Sequence, residues 1–425
     1  MEFKYAVKND TEEILSLYKS VLYSDGCLWD EEYPNRELCE RDIETNSLLC
    51  LWDKGKIIAA VSYDSDEELD EFEIWDRKLG KTRELARLVV SKEYRNQGIA
   101  RKMLLKGMEE LKKRGYKAVH FLVSPKNQRA VNSYAALNFS KAGECDYVGH
   151  HWYAYEKSLY AIEKSITKDF CYTIWNPFIE AIKKYDLIKD GDCIAVCISG
   201  GKDSMLLAKL MMMLKEYGMY DISLKFLMAD MGYSRQNLNL VEFNSLTLQI
   251  ETTVLKADIS PDKEDNRTNP CFLCSRMRRG FLYRRAKEMG CNKIALGHHY
   301  DDVIETILMG MLYGSQIQTM LPVIASDNVE NMELIRPMYL IEEKDIYDWQ
   351  KKNNMKFVKC ACALADKDGE GNTTRLKVKK LLKELAHDNP MVRKNIFGSV
   401  QNVDVTKIMS YKINGQRITA WKKPD

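Results

Sequence analysis

A glycine-rich turn between an apolar strand and an apolar helix constrains this chain more than any other feature. Residues 199–204 read Ser199-Gly200-Gly201-Lys202-Asp203-Ser204, after the run Cys193-Ile194-Ala195-Val196-Cys197-Ile198 and before Met205-Leu206-Leu207-Ala208-Lys209-Leu210. A short apolar run rich in Ile and Val reads as a buried parallel strand, and the following stretch carries helix periodicity. Two glycines at such a turn let the backbone approach a phosphate closely. The amides of the helix's first turn then hold the anion, with Lys202 adding positive charge. The spacing is wrong for a Walker A loop, which needs four residues between its glycines. Strand and helix patterns alternate on both sides of this unit, which predicts an α/β fold with a parallel, Rossmann-like sheet here.

At 425 residues the chain exceeds what one hydrophobic core usually supports, so two or three domains are expected. No apolar run reaches the ~20 residues of a membrane span. The start Met1-Glu2-Phe3-Lys4-Tyr5 lacks a signal-peptide core, so a cytoplasmic protein with no membrane association is expected. In that reducing compartment its 12 cysteines should be free thiols or metal ligands. Charge is uneven: residues 1–160 hold 25 basic and 28 acidic side chains, while residues 351–425 hold 17 basic and 7 acidic. A basic tail suits phosphate contacts with nucleic acid, although a lysine-rich solvated surface has the same composition. Three segments follow: an N-terminal α/β domain over 1–160, a nucleotide domain over 161–327, and a basic helical segment over 328–425. In the last, helices are expected from Glu342 to Lys352 and from Thr374 to His387.

In the first segment the strand Glu84–Val90 leads into Arg95-Asn96-Gln97-Gly98-Ile99-Ala100 and then an amphipathic helix from Arg101 to about Arg114. Backbone amides at this second helix start suit a pyrophosphate. The pattern Arg-x-x-Gly-x-Ala resembles the acetyl-CoA loop of the GNAT N-acetyltransferases. The strand Ala118–Val123 and the stretch Asn127-Gln128-Arg129-Ala130…Tyr134…Leu137-Asn138-Phe139 occur in that family's order. The resemblance implies acyl transfer from acetyl-CoA to an amine, with Arg95, Gln97, Gly98, Ile99 and Ala100 holding the cofactor. Tyr134 matches the tyrosine that protonates the departing thiolate, and Glu84 is the candidate base for the amine proton. A packed aromatic and a solvated carboxylate are the plainer readings of these two residues. Asn138 stands where the family usually has glycine; asparagine tolerates a left-handed turn.

Downstream lie Asn269-Pro270-Cys271-Phe272-Leu273-Cys274-Ser275-Arg276-Met277-Arg278-Arg279-Gly280, then Gly297-His298-His299-Tyr300-Asp301-Asp302, then Lys359-Cys360-Ala361-Cys362. A Cys-x-x-Cys at a turn can offer both thiolates to one metal, and nearby arginines attract phosphate. Two imidazoles and two carboxylates at a strand end have the composition of a Mg²⁺ or catalytic site. With the Ser-Gly-Gly-Lys-Asp-Ser turn, which is similar to the PP-loop of ATP pyrophosphatases, this ordered set resembles the tRNA 2-thiocytidine synthetase family from about Phe170 to Val403.

That resemblance implies ATP, Mg²⁺ and a [4Fe–4S] cluster held by Cys271, Cys274 and a third cysteine. The third ligand is open between Cys360 and Cys362, because this chain has Cys-x-Cys where the family has Cys-x-x-Cys; aligning Phe357-Val358-Lys359-Cys360 with the family's apolar lead-in favours Cys360, with Cys362 as the alternative. Ser199, Gly200, Gly201, Lys202, Asp203, Ser204, Asp230, Gly297, His298, His299 and Asp302 are the expected nucleotide contacts. Lys202, Asp203, Asp301 and Arg278 are the expected catalytic groups. The expected reaction adenylates a tRNA cytidine and replaces its oxygen with sulfur from a sulfide or persulfide donor such as a cysteine desulfurase. Thiolation or desulfurisation of a free nucleobase, a CoA-sensing first domain, a structural Zn²⁺ in place of the cluster, and a homodimer stay open. Cys193, Cys197 and Cys291, in apolar stretches, are expected in the core.

Overall fold

The structure is a computed structural model that describes all residues except 25, 65–66, 258–269, 327–328, 359–373, 414 and 422–425. The chain forms two compact units. The first comprises residues 1–169, 239–251 and 349–356; the second comprises 170–238, 252–348 and 357–425. Among the described residues no helix is long and apolar enough to cross a membrane.

The first unit holds a seven-stranded sheet ordered β1-β2-β3-β4-β5-β7-β6. Its strands are β1 (Glu2–Tyr5), β2 (Leu48–Asp53), β3 (Lys56–Asp64), β4 (Thr82–Val90), β5 (Ala118–Val123), β6 (Ser140–Tyr147) and β7 (His150–Ser158). All neighbours are antiparallel except β4 and β5, which pair in parallel over only Thr82–Glu84 against Ala118–His120. Beyond that point β5 pairs only with β7, so the sheet parts between β4 and β5. The helix Ile99–Lys113 buries Ile99, Met103, Leu104, Met108 and Leu111. These recur at three- and four-residue spacing, the stripe an amphipathic helix lays on a sheet. Phe243 and Leu246 pack on the same core. Asn138 takes φ 56° as the sequence expects.

The second unit is built on a six-stranded sheet ordered β10-β9-β8-β11-β13-β12. The strands are β8 (Cys193–Cys197), β9 (Ser223–Asp230), β10 (Thr252–Lys256), β11 (Lys293–Ala295), β12 (Val323–Ala325) and β13 (Glu333–Ile335). All pairs are parallel except β12 with β13. From β8 the chain builds outward through β9 and β10, then returns to the other side of β8 with β11. That reversal creates a crevice at the carboxyl ends of β8 and β11, where ligands of open α/β sheets bind. The helix Lys202–Glu216 buries Met205, Leu206, Leu207, Ala208, Leu210, Met211, Met213 and Leu214, which fixes the turn before it.

The structure corrects three expectations. The segment from residue 328 is not separate, because β13 completes the sheet beside β11; three-residue strands are too short to show a periodicity. The Cys-x-x-Cys lies in a helix, Pro270–Glu288, and not at a turn. Pro270 opens that helix, a position where its missing N–H costs nothing. The thiol expected in the core at Cys193 is partly exposed, 3.3 Å from the buried Cys291.

Candidate functional site

The sequence Ser-Gly-Gly-Lys-Asp-Ser closes into a loop through one hydroxyl. Ser204 Oγ donates to the Gly201 carbonyl at 3.0 Å and accepts from the Ser199 N–H and the Ser199 Oγ, each at 3.1 Å. Gly200 has φ 80°, a left-handed backbone that favours glycine. No side chain caps the helix Lys202–Glu216, so its first-turn amides stay available to an anion. Two outside contacts pin the loop: the Tyr233 hydroxyl donates to the Ser199 carbonyl (3.0 Å), and the Val358 N–H donates to the Gly200 carbonyl (3.1 Å). Asp230, at the end of β9, shapes the turn that carries Tyr233 by accepting from the Gly232 and Tyr233 N–H groups at 3.0 and 2.9 Å.

Across the crevice, β11 is followed by Leu296-Gly297-His298-His299. A Cβ on Gly297 would stand 3.0 Å from the backbone of Asp203 and Ser204, so this glycine allows the two loops to touch. The His299 N–H donates to Asp302 Oδ2 (3.1 Å) at the start of the helix Tyr300–Gly314. Burial holds the His298 imidazole down at about 4, so it is neutral at pH 7. Asp301 is committed elsewhere: one oxygen accepts from the Glu343 N–H (2.8 Å) and the other from Arg393 (2.5 Å). That leaves Asp203 and Asp302 facing the crevice.

Charged side chains ring a cavity of about 260 Å³ here, bordered by Asp203, His299, Asp302, Glu305, Glu343, Arg375 and Lys379. Lys202 Nζ lies 2.9 Å from Asp203 and 3.2 Å from Glu343, and 4.4 Å from the Tyr347 ring centroid. Burial alone would lower this ammonium, but Asp203, helped by Glu343, outweighs it and raises it above the usual lysine range. Burial would raise the Glu343 carboxyl; its pairing with Lys379 and Lys202 holds it below the usual range instead. The Asp302 carboxyl is likewise held low, with His299 and Arg375 opposing burial. Glu343, Arg375 and Lys379 carry no motif. Only the four-residue spacing of Arg375 and Lys379 hinted that they share a helix face.

Arg278 is half-buried and its charge acts on the Cys197 thiol, which burial nonetheless pushes up to about 12. Cys271 and Cys274 lie three positions apart near the start of their helix. Cys360 and Cys362 lie outside the described residues. Among the described residues no group of three or more His, Cys, Asp and Glu side chains is arranged to hold a metal ion.

The first unit has its own cleft, about 1020 Å³, opening where β4 and β5 part. Glu84, Arg95, Gly98, Ile99, Ala100 and Tyr134 border it. The Gln97 carboxamide turns to the Glu93 carbonyl (3.1 Å). Gly98, at φ 76°, caps the helix Ile99–Lys113 and presents that helix's first turn. Tyr134 packs against Phe121 with centroids 4.1 Å apart, and burial raises its phenol, which stays protonated at neutral pH. At the cleft floor β4 bulges: its pairing with β3 slips between Ala60 and Ser62, and Arg87 takes φ 51°. The Arg87 guanidinium lies buried, 2.8 Å from Asp42 and 2.6 Å from Asp64.

These two sites define a pair of transferase domains on one chain. The acetyltransferase (GNAT) family matches residues 9–139, and the PP-loop domain family matches residues 174–380. The tRNA-cytidine(32) 2-sulfurtransferase 1 of Francisella philomiragia is 39% identical over 234 residues, which cover 54% of this chain and 89% of that protein. The tRNA-cytidine(32) 2-sulfurtransferase of Citrifermentans bemidjiense is 34% identical over 244 residues, covering 56% and 94%. Among solved structures, the U34-tRNA thiolase NcsA from Methanococcus maripaludis, determined with its [4Fe-4S] cluster, is similar at 19% identity. That match has a TM-score of 0.42 and covers 54% of this chain and 79% of that one. The chain is an enzyme that joins a GNAT domain to a PP-loop domain. It belongs to the tRNA-cytidine(32) 2-sulfurtransferase family.

Proposed function

We propose that the second unit thiolates a cytidine of tRNA at the expense of ATP. The observation that carries this reading is the crevice at the β8–β11 reversal, where a glycine-rich phosphate loop meets Lys202, Asp203, His299 and Asp302 in a chain of this family. ATP enters with its phosphates on the amides of Gly201 to Ser204. The cytosine carbonyl oxygen bonds to the α-phosphorus as the bond to the bridging oxygen breaks, and pyrophosphate leaves with that electron pair. Lys202 offsets the charge that develops there, and Asp203 and Asp302 hold the Mg²⁺ that accompanies ATP. A sulfide sulfur then bonds to the activated carbon, the carbon–oxygen bond breaks, and AMP departs. Cys271, Cys274 and Cys360, with Cys362 as the alternative third ligand, would hold a [4Fe–4S] cluster. Such a cluster, when bound, carries sulfide on an iron the protein leaves open.

The test is anaerobic incubation of the full chain with Mg·ATP, sulfide and unmodified tRNA, followed by mass spectrometry of the nucleosides. Appearance of 2-thiocytidine is expected, with loss of product in Lys202→Ala and in Cys274→Ala, the latter still binding ATP. Wild-type thiolation by Cys274→Ala without a cluster would sink the role of these cysteines. A colourless protein carrying one zinc would do the same.

For the first unit we propose acetyl transfer from acetyl-CoA to an amine. The pyrophosphate lies on the amides of Gly98 to Ala100, Glu84 takes the amine proton through water, and Tyr134 protonates the leaving thiolate. Its proton is already in place, because burial keeps the phenol neutral. Tyr134→Phe should slow release of free CoA in the presence of an amine while acetyl-CoA affinity is kept. Equal loss of affinity would mark Tyr134 as a packing residue alone.

A further inference from the structure

We infer that Arg375 and Lys379 form the far wall of the triphosphate site, where they take the β- and γ-phosphates of ATP and then the departing pyrophosphate. The inference rests on reading the β8–β11 crevice as the adenylation site. Both residues stand on the helix Thr374–Asp388, four positions apart, and both border the same cavity as Asp203, His299 and Asp302. Neither belongs to the phosphate loop or to the strand-end motif.

Their present partners are carboxylates. Arg375 Nε lies 2.9 Å from Glu305 and its Nη2 lies 3.2 Å from Asp302, while Lys379 pairs with Glu343, which also holds Lys202 at 3.2 Å. Glu343 therefore links the loop lysine to the helix lysine. The Arg375 and Lys379 side chains are 45% and 34% exposed, against 13% for Lys202, so they reach the cavity from its wet side. Four carboxylates, Asp203, Asp302, Glu305 and Glu343, line this cavity with Arg375 and Lys379, and Lys202 pairs with Asp203 and Glu343 at its edge. A bare triphosphate could not settle among them.

Re-pairing solves this. Phosphate oxygens replace the carboxylates on Arg375 and Lys379, and the Mg²⁺ that arrives with ATP takes up carboxylates so released. A guanidinium matches two phosphate oxygens with parallel N–H donors, which a carboxylate-paired arginine can offer without refolding. When the bond from the α-phosphorus to the bridging oxygen breaks, the electron pair goes to pyrophosphate. Charge therefore grows beside these cations in the transition state. Lys202 acts from the loop side and Arg375 with Lys379 from the helix side.

The experiment titrates the full-length protein calorimetrically with Mg·ATP, Mg·pyrophosphate and AMP, and repeats this for Arg375→Gln, Lys379→Gln and Arg375→Lys. Each lost charged contact should weaken Mg·ATP and Mg·pyrophosphate about tenfold to a hundredfold. AMP affinity should stay within about twofold of wild type, since AMP lacks the β- and γ-phosphates. Arg375→Lys should keep part of the affinity, having the charge without the fork. Unchanged Mg·ATP affinity in both glutamine variants overturns the inference and leaves the adenylation site standing. Equal weakening of AMP and Mg·ATP also overturns it, because the residues would then only support the fold. If wild type binds none of the three, the adenylation reading falls and takes the inference with it.

Discussion

Gly297 illustrates what one side chain decides. A Cβ there would meet the backbone of Asp203 and Ser204 at 3.0 Å, so Gly297→Ala crowds the start of the phosphate loop's helix, which must give by a few tenths of an ångström. A loss of about 1–3 kcal/mol, usual for overpacking, is expected in urea denaturation, together with weaker Mg·ATP binding. Arg87 makes the opposite case. Its removal leaves the buried Asp42, 2% exposed, with Arg41 at 3.2 Å as its remaining charged neighbour among the described residues. Arg87→Leu should cost up to about 3–5 kcal/mol, and Arg87→Leu with Asp42→Asn should recover part of that. Histidine sets the acid limit. His298 and His120 are each held down to about 4 by burial, against 6.5 for a free imidazole. The unfolded chain takes up these protons first, so their effect is absent above about pH 6.5 and grows as pH falls toward 4. Thermal midpoints measured between pH 7 and 5 should fall, and less steeply in His298→Asn. The motif glycines and Lys202 were legible in the sequence because they serve local chain geometry. Arg87 was not, since nothing in a strand sequence announces a left-handed arginine at a bulge.

At the scale of elements, legibility followed length. The strands β5 and β8 and the helix Thr374–Asp388 lie within a residue or two of where periodicity puts them, because each carries enough apolar residues to show its period. The strands β12 and β13, three residues each, show none, and they take their places from pairing with each other and with β11. The second wall of the phosphate cavity was invisible for another reason. Glu343, Arg375 and Lys379 meet only through the fold, at sequence distances no motif spans. The phosphate loop itself depends on a single hydroxyl. Ser204→Ala removes one donor and one acceptor from its closure. Mg·ATP should bind about fivefold more weakly, the effect of ~1 kcal/mol of hydrogen bonding, with the thermal midpoint nearly kept.

For the whole molecule, charge separates the two halves: 17 basic against 7 acidic residues in 351–425, and an acidic excess in 1–160. Lys377, Lys380 and Lys383 are exposed on the helix Thr374–Asp388. If tRNA binds through this segment, Lys377→Glu, Lys380→Glu and Lys383→Glu together should weaken tRNA binding and flatten its dependence on salt. Filter binding at several salt concentrations reads both, and an unchanged slope would move the RNA contact elsewhere. The family matches, residues 9–139 and 174–380, describe two domains strung end to end.

The first unit is discontinuous in sequence, since residues 239–251 and 349–356 belong to it although they lie within the second unit's sequence span. Within the first unit Lys112 bonds Gln249 at 2.8 Å, and Asn244 bonds the Lys356 carbonyl at 2.8 Å. An acetyltransferase fragment cut at residue 169 would thus be missing pieces of its own wall, with apolar surface laid bare where Phe243 and Leu246 pack. The core of the first unit therefore needs three separate stretches of chain, 1–169, 239–251 and 349–356, and no single continuous piece of the sequence carries it.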